Sequence, residues 1–284
     1  QFHSYGGDPG NLREMSSQVG PLAEFLNTHE SLTVDVGQVI FGETTSMTAD
    51  AAVGEFLHRV TGRKWLSHDV EMETGCGVVP IKYEDTNAVH ALQWAIGLEW
   101  FLRVDDPWQV ALSTDHPNGG SFLAYPQIIA LLMDRGLRND TLATLPAKVK
   151  ERCPLGDLSR EYSLSEIAII TRAGPARMLG MTTKGHLGPG ADADVTVYRP
   201  DDDKVRMFSM PRYFLKGGEV VLDDGEFRKA VDGSLLHVEP DRDRGSEADI
   251  AAWFNAHSSI RFANYAMGDE EVNRPRVIAS GGAR

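Results

Sequence analysis

The chain has 284 residues with 41 acidic and 28 basic side chains, which gives a formal net charge of −13. Such an acidic surface repels phosphate backbones and argues against non-specific nucleic-acid binding. No apolar run approaches the roughly 18 residues needed to cross a bilayer, and the two cysteines, Cys76 and Cys153, are too few for a disulfide framework. We therefore expect a soluble, cytoplasmic globular protein.

The chain begins at Gln1, and residues 1–7 are typical of a strand end that enters a glycine-rich loop. Nothing near the start has the basic and then apolar pattern of a signal peptide. We therefore expect this chain to be part of a longer protein.

The first part of the chain alternates strand and helix patterns. Residues 31–42 are rich in β-branched side chains and predict a buried strand, and Val78–Ile81 predicts a second, short one. Apolar residues at spacings of three and four predict a helix over residues 86–104. Residues 108–114 predict another buried strand, which ends in the loop at 115–120.

Two further helices are predicted after this loop. Pro126 is suited to the first turn of a helix that Gly136 would end. Ser163 and Glu166 are spaced as a capping box, in which each side chain satisfies a backbone N–H of the other residue. Pro175 is expected to interrupt the helix that follows.

From about residue 185 the pattern changes to short strands separated by turns, at Val195–Tyr198, Tyr213–Lys216 and Glu219–Leu222. We therefore predict an α/β part at residues 1–184, strands of a small β-domain at 185–238, and a charged tail at 239–284 that acts as a docking segment. In parallel α/β folds, functional groups lie at the carboxyl ends of the strands, which favours the loop at 115–120 as the site.

Asp115 is the strongest candidate for chemistry. A carboxylate directly after a buried strand suits a metal ligand that also serves as a general base. The alternative is a turn residue, because the sequence from Asp115 to Gly120 is full of turn formers. The residues alone favour neither interpretation.

The other candidates carry weaker signals. His3 follows the presumed opening strand and is typical of a loop residue as much as of a metal ligand. Asp35 lies between Val34 and Val36 and faces either a barrel interior or solvent. Cys76 has no histidine-containing triad around it and is interpreted as structural. An acidic run is more typical of a solvated face than of a cation site, and consists of Asp69, Glu71 and Glu73.

Several stretches resemble the A component of formylmethanofuran dehydrogenases and of the related bacterial formyltransferase/hydrolase complexes. The resemblance runs through nearly the whole chain. The stretches specific to these proteins are residues 1–7, 34–42, 73–80, 93–99, 113–120 and 262–265. A closing pattern shared by many amidohydrolases is present at residues 171–176 and 188–195.

The resemblance implies the C-terminal part of an amidohydrolase-type (β/α)8 barrel at 1–184, followed by strands of a small β-sandwich. The metal site implied is typically binuclear zinc, held by a His-x-His pair, a carboxylated lysine, further histidines and the aspartate after the last strand. Only that aspartate matches here, as Asp115. We expect the other ligands to lie upstream of Gln1, so that this chain alone does not complete the site.

The chemistry implied is hydrolysis of N-formylmethanofuran to formate and methanofuran, a step of one-carbon metabolism that the dehydrogenase runs in the condensing direction. Asp115 would act as metal ligand and general base, and His116 and Asn118 would orient substrate oxygens. The implied partners are the other components of the complex, which include a tungsten or molybdenum formate dehydrogenase in archaea and a formyltransferase in bacteria. Residues 210–213 and 236–238 resemble the bacterial branch more closely.

Two alternatives stay open. One is a generic zinc amidohydrolase that acts on a cyclic amide, against which the narrow motifs argue. The other is a non-catalytic scaffold within the complex. Replacing Asp115 separates the latter from a hydrolase, because a scaffold would keep both assembly and activity of the complex.

Overall fold

The computed structural model describes residues 5–6, 15–48, 77–239, 243–258, 261–265 and 276–279. None of the helices in these segments is long and apolar enough to cross a membrane. The strands are β1 (Tyr5–Gly6), β2 (Ser16–Ser17), β3 (Val34–Gly37), β4 (Gly42–Thr48), β5 (Gly77–Tyr83), β6 (Val110–Ser113), β7 (Val195–Val197), β8 (Tyr213–Lys216), β9 (Glu219–Asp223), β10 (Glu226–Phe227), β11 (Leu236–Glu239) and β12 (Arg276–Ala279).

The helices lie between these strands, and most of them lie between β5 and β7. They are α1 (Val19–Asn27), α2 (Ala88–Arg103), α3 (Tyr125–Met133), α4 (Arg135–Thr144), α5 (Ala147–Arg152), α6 (Leu164–Ala168), α7 (Gly174–Met178), α8 (Lys204–Ser209) and α9 (Glu247–His257).

Strands β3 and β6 form a parallel pair in which Val36 lies opposite Leu112. Both of these side chains are buried in the main core cluster, whereas Asp35, between two valines, lies on the other face of its strand. Because the two strands are parallel, their carboxyl ends meet at one edge. The strand predicted at 31–42 is confirmed, but it is shorter and spans only Val34–Gly37.

Helix α2 packs behind this pair and confirms the helix predicted at 86–104. The Asn87 side chain accepts hydrogen bonds from the N–H groups of Val89 and His90 and so caps its first turn. Trp94, Leu98 and Phe101 are fully buried on it. This helix thus supplies the main apolar layer against which the site-bearing strands rest.

The strand predicted at 108–114 begins two residues late, because Trp108 and Gln109 belong to a 3-10 turn at Pro107–Gln109. Further along, the prediction that Gly136 ends the helix after Pro126 is wrong. Helix α3 ends at Met133, since the Asp134 side chain accepts from Leu137 N–H and begins the next helix.

The capping box predicted at Ser163 and Glu166 is confirmed, with both reciprocal hydrogen bonds present. The predicted interruption at Pro175 takes the form of a π-helical turn at Ile169–Ala173, after which α7 continues the helix. The wider turn accommodates a proline, which has no N–H to donate.

The later strands confirm β structure after residue 185. Strands β7 to β10 form one antiparallel sheet in the order β10-β9-β8-β7, and β11 pairs in parallel with β12 from the tail. Helix α8, between β7 and β8, packs on α3. The α/β composition is thus confirmed, while the closed barrel, the β-sandwich and the division at 184 and 238 stay predictions.

Candidate active site

Asp115 lies two residues beyond β6, on the carboxyl edge of the parallel pair. Its backbone is in the left-handed region, with φ of 47°, a conformation that aspartate tolerates better than most residues. Its N–H donates to Ser113 Oγ at 2.7 Å, and its side chain is exposed. Such a backbone is strained, and strain of this kind is concentrated at functional sites.

The loop after Asp115 closes on itself. The Asn118 N–H donates to the Asp115 carbonyl at 2.6 Å and the Gly119 N–H to the Thr114 carbonyl at 2.9 Å. The peptide bond between His116 and Pro117 is cis. These contacts make residues 115–119 a tight turn with Asp115 at its start.

The loop is also tied to the chain that leaves β3. The Ile40 N–H donates to the Gly119 carbonyl at 2.8 Å, and the Thr44 hydroxyl donates to the Pro117 carbonyl. A Cβ on Gly120 would lie 3.1 Å from Ile40 Cβ, so the two segments approach closely. The position of Asp115 is therefore set by both parallel strands.

Asn118 contacts the Asp115 carboxylate directly. Its Nδ2 donates to Asp115 Oδ2 at 2.8 Å, which holds the carboxylate in one orientation. Asn118 therefore positions the Asp115 side chain. The substrate contact predicted for Asn118 stays a prediction.

His116 is exposed and its ring is held from two sides. Nδ1 lies 3.3 Å from the Gly120 carbonyl, and the ring meets Phe122 edge to face at a centroid distance of 4.8 Å. The imidazole thus belongs to the residue that follows Asp115 and has Phe122 as its aromatic neighbour. Its role toward substrate also stays a prediction.

Asp35 is a second carboxylate on this parallel pair, within β3, and its sequence context is only a weak signal for function. Partial burial and the negative charge of Asp115 both raise the pKa of Asp35. The register places Asp35 opposite Ala111 and Gly37 opposite Ser113. Side chains two residues apart share one face of a strand, so Asp35 lies on the same face as Gly37, the residue opposite Ser113. Asp115 follows Ser113 by two residues.

Two tyrosines lie near these carboxylates and were not singled out from the sequence. Burial, together with the charge of Asp115, raises the pKa of Tyr83 to about 12. The Tyr83 hydroxyl has no hydrogen-bond partner among the described residues. Burial also raises the pKa of Tyr125, whose hydroxyl lies beside Ser113 and Thr114 and feels the charge of Asp35. Neither tyrosine could be predicted from a local sequence pattern, because each lies near the carboxylates only as a result of packing between segments that are distant in the chain.

A metal site is not complete within the described part of the chain. No group of three or more histidine, cysteine, aspartate or glutamate side chains there is placed to hold a metal ion. Asp115 and Asp35 offer carboxylate oxygens, whereas zinc sites usually have three or four protein ligands. The described residues alone therefore do not fit a zinc ion. His3, Asp69, Glu71, Glu73 and Cys76 lie outside the described residues.

Cys153 is distant from this chemistry. It is buried, and its thiol donates to Glu99 Oε2 at 3.2 Å. Burial and the neighbouring Glu99 carboxylate raise the pKa of the Cys153 thiol. It is therefore a structural residue rather than a nucleophile.

Two curated proteins are similar to this chain along almost all of its length. One is protein FwdA from Methanocaldococcus jannaschii, 42% identical over 98% of this chain. The other is the A component of the formyltransferase/hydrolase complex Fhc from Methylorubrum extorquens, 41% identical over 95% of this chain. The chain spans about half the length of these relatives, 51% and 50% respectively.

A solved structure agrees with these relatives. It is the crystal structure of the formyltransferase/hydrolase complex FhcABCD from Methylorubrum extorquens in complex with methylofuran. The matched chain is 39% identical, with a TM-score of 0.80 over 98% of this chain and 52% of the other. The model of the amidohydrolase family matches residues 3–222, which include both parallel strands and the Asp115 loop. The chain is therefore a member of the amidohydrolase family, as its sequence resemblance predicted.

Proposed function

We propose that this chain is the C-terminal half of an A component of the kind found in formylmethanofuran dehydrogenases and formyltransferase/hydrolase complexes. The complete subunit hydrolyses the N-formyl amide of a methanofuran-type carrier to formate and the free amine. The observation that carries this proposal is Asp115, fixed beyond a parallel strand by Asn118, in a chain similar throughout to FwdA and to the corresponding Fhc component.

In this reaction one water adds to the formyl carbon and the C–N bond breaks. Asp115 accepts a proton from the attacking water and delivers it to the leaving amine nitrogen. Asn118 keeps one carboxylate oxygen occupied, so the other faces the reacting atoms. His116, the exposed residue that follows Asp115, contacts a substrate oxygen.

We include zinc in the proposal, as a binuclear centre of the complete subunit. Zinc would lower the pKa of a coordinated water and so would supply hydroxide at neutral pH. Asp115 would be one ligand, and the remaining ligands would have to come from outside the described residues.

The partners we propose are the other subunits of such a complex. The solved complex similar to this chain contains the four components named in FhcABCD. The identities to the archaeal and bacterial relatives, 42% and 41%, are nearly equal and favour neither branch. A complex that acts on a carrier of one-carbon units fits the cytoplasm, where we place it.

The experiment measures formate release from N-formylmethanofuran by the complete subunit when it is assembled with its partners. Asp115→Asn is expected to reduce kcat by about 100- to 10,000-fold, the range typical of a lost general base, while the complex still assembles. Zinc per chain is measured on the same samples and is expected to fall in Asp115→Ala.

Asp224→Asn is the matched control. Asp224 is also an aspartate in the left-handed region, with φ of 50°, but it pairs with Arg199 in the β part. An asparagine tolerates this backbone at both positions, so only the carboxylate changes. Full activity in Asp115→Asn would refute the hydrolase proposal and favour a non-catalytic scaffold. Activity on cyclic amides but not on N-formylmethanofuran would favour a generic amidohydrolase.

A further inference from the structure

We infer that the Thr44 hydroxyl, on β4, is a positioning group for Asp115, because it holds the peptide group on which the Asp115 turn closes. This inference rests on the proposed function, in which Asp115 accepts the proton of the attacking water. Thr44 itself contacts neither the substrate nor the water. It acts through the backbone of the turn and, through that backbone, on the orientation of the carboxylate.

Strands β4 and β5 form an antiparallel pair with one face turned inward. The register places Thr44 opposite Ile81. Two residues along each strand, Gly42 lies opposite Tyr83 on the same face. Tyr83 is buried and Ile81 is half-buried, whereas Lys82, on the other face, is exposed. The Thr44 side chain therefore lies on the inward face of the pair.

This inward face is directed at the loop after Asp115. Burial, together with the negative charge of Asp115, raises the pKa of Tyr83, so Asp115 lies near this face. The Thr44 hydroxyl donates a hydrogen bond to the Pro117 carbonyl, which is 73 positions away in the chain. A side chain from a distant strand thus holds the middle of the Asp115 turn.

The hydrogen bond reaches Asp115 through a single peptide group. The Pro117 carbonyl and the Asn118 N–H belong to the same planar unit. Its carbonyl accepts from Thr44, and its N–H donates to the Asp115 carbonyl at 2.6 Å. The Asn118 side chain then donates from Nδ2 to Asp115 Oδ2 at 2.8 Å. Rotation of this peptide group would therefore disturb both contacts that Asn118 makes with Asp115.

Asp115 depends on such contacts because its backbone lies in the left-handed region, with φ of 47°. A residue other than glycine keeps a conformation of this kind only where its surroundings hold it. Proton transfer also requires the carboxylate in a defined position, and a displacement of about 1 Å can cost a factor of about 100 in rate. Loss of the Thr44 hydroxyl should therefore lower kcat and leave substrate binding unchanged.

The first test measures kcat and KM for formate release from N-formylmethanofuran in the assembled complex. Thr44→Val replaces the hydroxyl by a methyl group of similar size, and Thr44→Ala removes it. Both are expected to lower kcat by about 10- to 100-fold, the range for a displaced catalytic group, with KM and assembly unchanged. Thr44→Ser keeps the hydroxyl and is expected to retain most of the wild-type kcat.

The second test repeats Thr44→Val in the Asp115→Asn background. A residue that acts through the Asp115 carboxylate has nothing left to position once that carboxylate is gone, so the two effects should not add. We therefore expect the double variant to have the kcat of Asp115→Asn alone. If the two losses multiplied instead, Thr44 would act independently of Asp115 and the inference would be overturned.

Thr45→Val is the matched control. Thr45 is the next residue of β4 and is also half-buried, but it lies opposite Pro80 on the other face of the pair. It is expected to keep the wild-type kcat. A wild-type kcat in Thr44→Val, an equal loss in Thr45→Val, or a loss of assembly in both Thr44→Val and Thr44→Ala would overturn the positioning role alone. Full activity in Asp115→Asn would overturn the proposed function as well.

Discussion

Asp35 and Asp115, one within β3 and one beyond β6, lie close enough for the negative charge of Asp115 to raise the pKa of Asp35. Two carboxylates at such a separation repel each other unless a cation or a proton lies between them. This repulsion makes Asp35 a candidate member of the proposed site, with a solvated side chain as the alternative.

This repulsion predicts that Asp35→Asn stabilises the complete subunit once zinc has been removed with a chelator. Partial burial and Asp115 raise the pKa of Asp35 above its usual 3.8. A raised folded-state pKa contributes stability below the usual value, which is lost as pH rises through the raised one. Near pH 7 the ionised Asp35 is thus destabilising, and a neutral amide should raise Tm. Near pH 3 the difference should disappear.

The control for this prediction is Asp140→Asn, which changes an exposed aspartate on α4. It should leave Tm unchanged at both pH values when unfolding is followed by calorimetry. An unchanged or lower Tm for Asp35→Asn near pH 7 would show that the two carboxylates do not repel each other in the folded subunit.

Part of this site was predictable from the sequence, and part was not. Asp115 was predicted because the apolar pattern of the strand before it can be recognised from neighbouring residues. The family resemblance pointed to the same residue. Asp35 carried only a weak signal, because a carboxylate between two valines in a strand can face either a barrel interior or solvent. Tyr83 and Tyr125 carried none, since they approach Asp115 and Asp35 only through pairing and packing between distant segments.

The fold shows the same division. Helix α2 and the capping box at Ser163 were predicted because apolar spacing and cap chemistry act over a few residues. The end of α3 was missed, because the Asp134 cap competes with Gly136 for the boundary and the cap prevails. The parallel pairing of β11 with β12 joins segments far apart in the chain and has no local pattern.

The capping box predicts the effect of Ser163→Ala. The Ser163 hydroxyl accepts the Glu166 N–H at 3.2 Å and the Ser163 N–H donates to the Glu166 carboxylate at 2.8 Å. Its removal should destabilise the complete subunit by about 1 kcal/mol, the usual cost of losing an N-cap. Ser165→Ala, at an exposed position in the same helix, should be neutral in urea unfolding. If the two substitutions changed the free energy of unfolding equally, the Ser163 cap would not stabilise the subunit.

Gly185 predicts a larger loss of stability. Its backbone is left-handed, with φ of 78°, and a Cβ there would lie 2.6 Å from Ala176 Cβ and 2.9 Å from the Arg172 carbonyl. Gly185→Ala should therefore add a clash with the α7 region to the backbone strain. We expect it to lower the free energy of unfolding by about 1–3 kcal/mol beyond the strain, as overpacking does.

Gly190→Ala isolates the strain. Gly190 has a similar φ of 85°, but a Cβ there would have no neighbour within 4 Å. Gly190→Ala should lower the free energy of unfolding only by the cost of a left-handed backbone in alanine, about 1–2 kcal/mol. The same urea titration measures this change. If the two alanine variants had the same free energy of unfolding, the close approach of Gly185 to Ala176 would add no steric cost.

A cluster of charged side chains holds the start of the β part. The Lys184 ammonium contacts both Asp192 and Asp194, and Lys216 Nζ lies 2.9 Å from Asp194 Oδ2. Burial acts to raise the pKa of Asp194. Hydrogen bonds from Lys184, Lys216 and the Gly217 N–H outweigh this effect and hold that pKa well below its usual range.

A depressed carboxylate pKa contributes stability above the usual value of 3.8, and this is lost as pH falls through the depressed one. The complete subunit should therefore lose Tm on acidification from pH 4 downward, and Asp194→Asn should reduce that slope. The variant should also be less stable near pH 7 by about 1–3 kcal/mol, the cost of hydrogen bonds to a charged group. Asp202→Asn, at an exposed neighbouring position, should keep the wild-type slope. An unchanged acid slope in Asp194→Asn would show that this cluster does not govern acid unfolding.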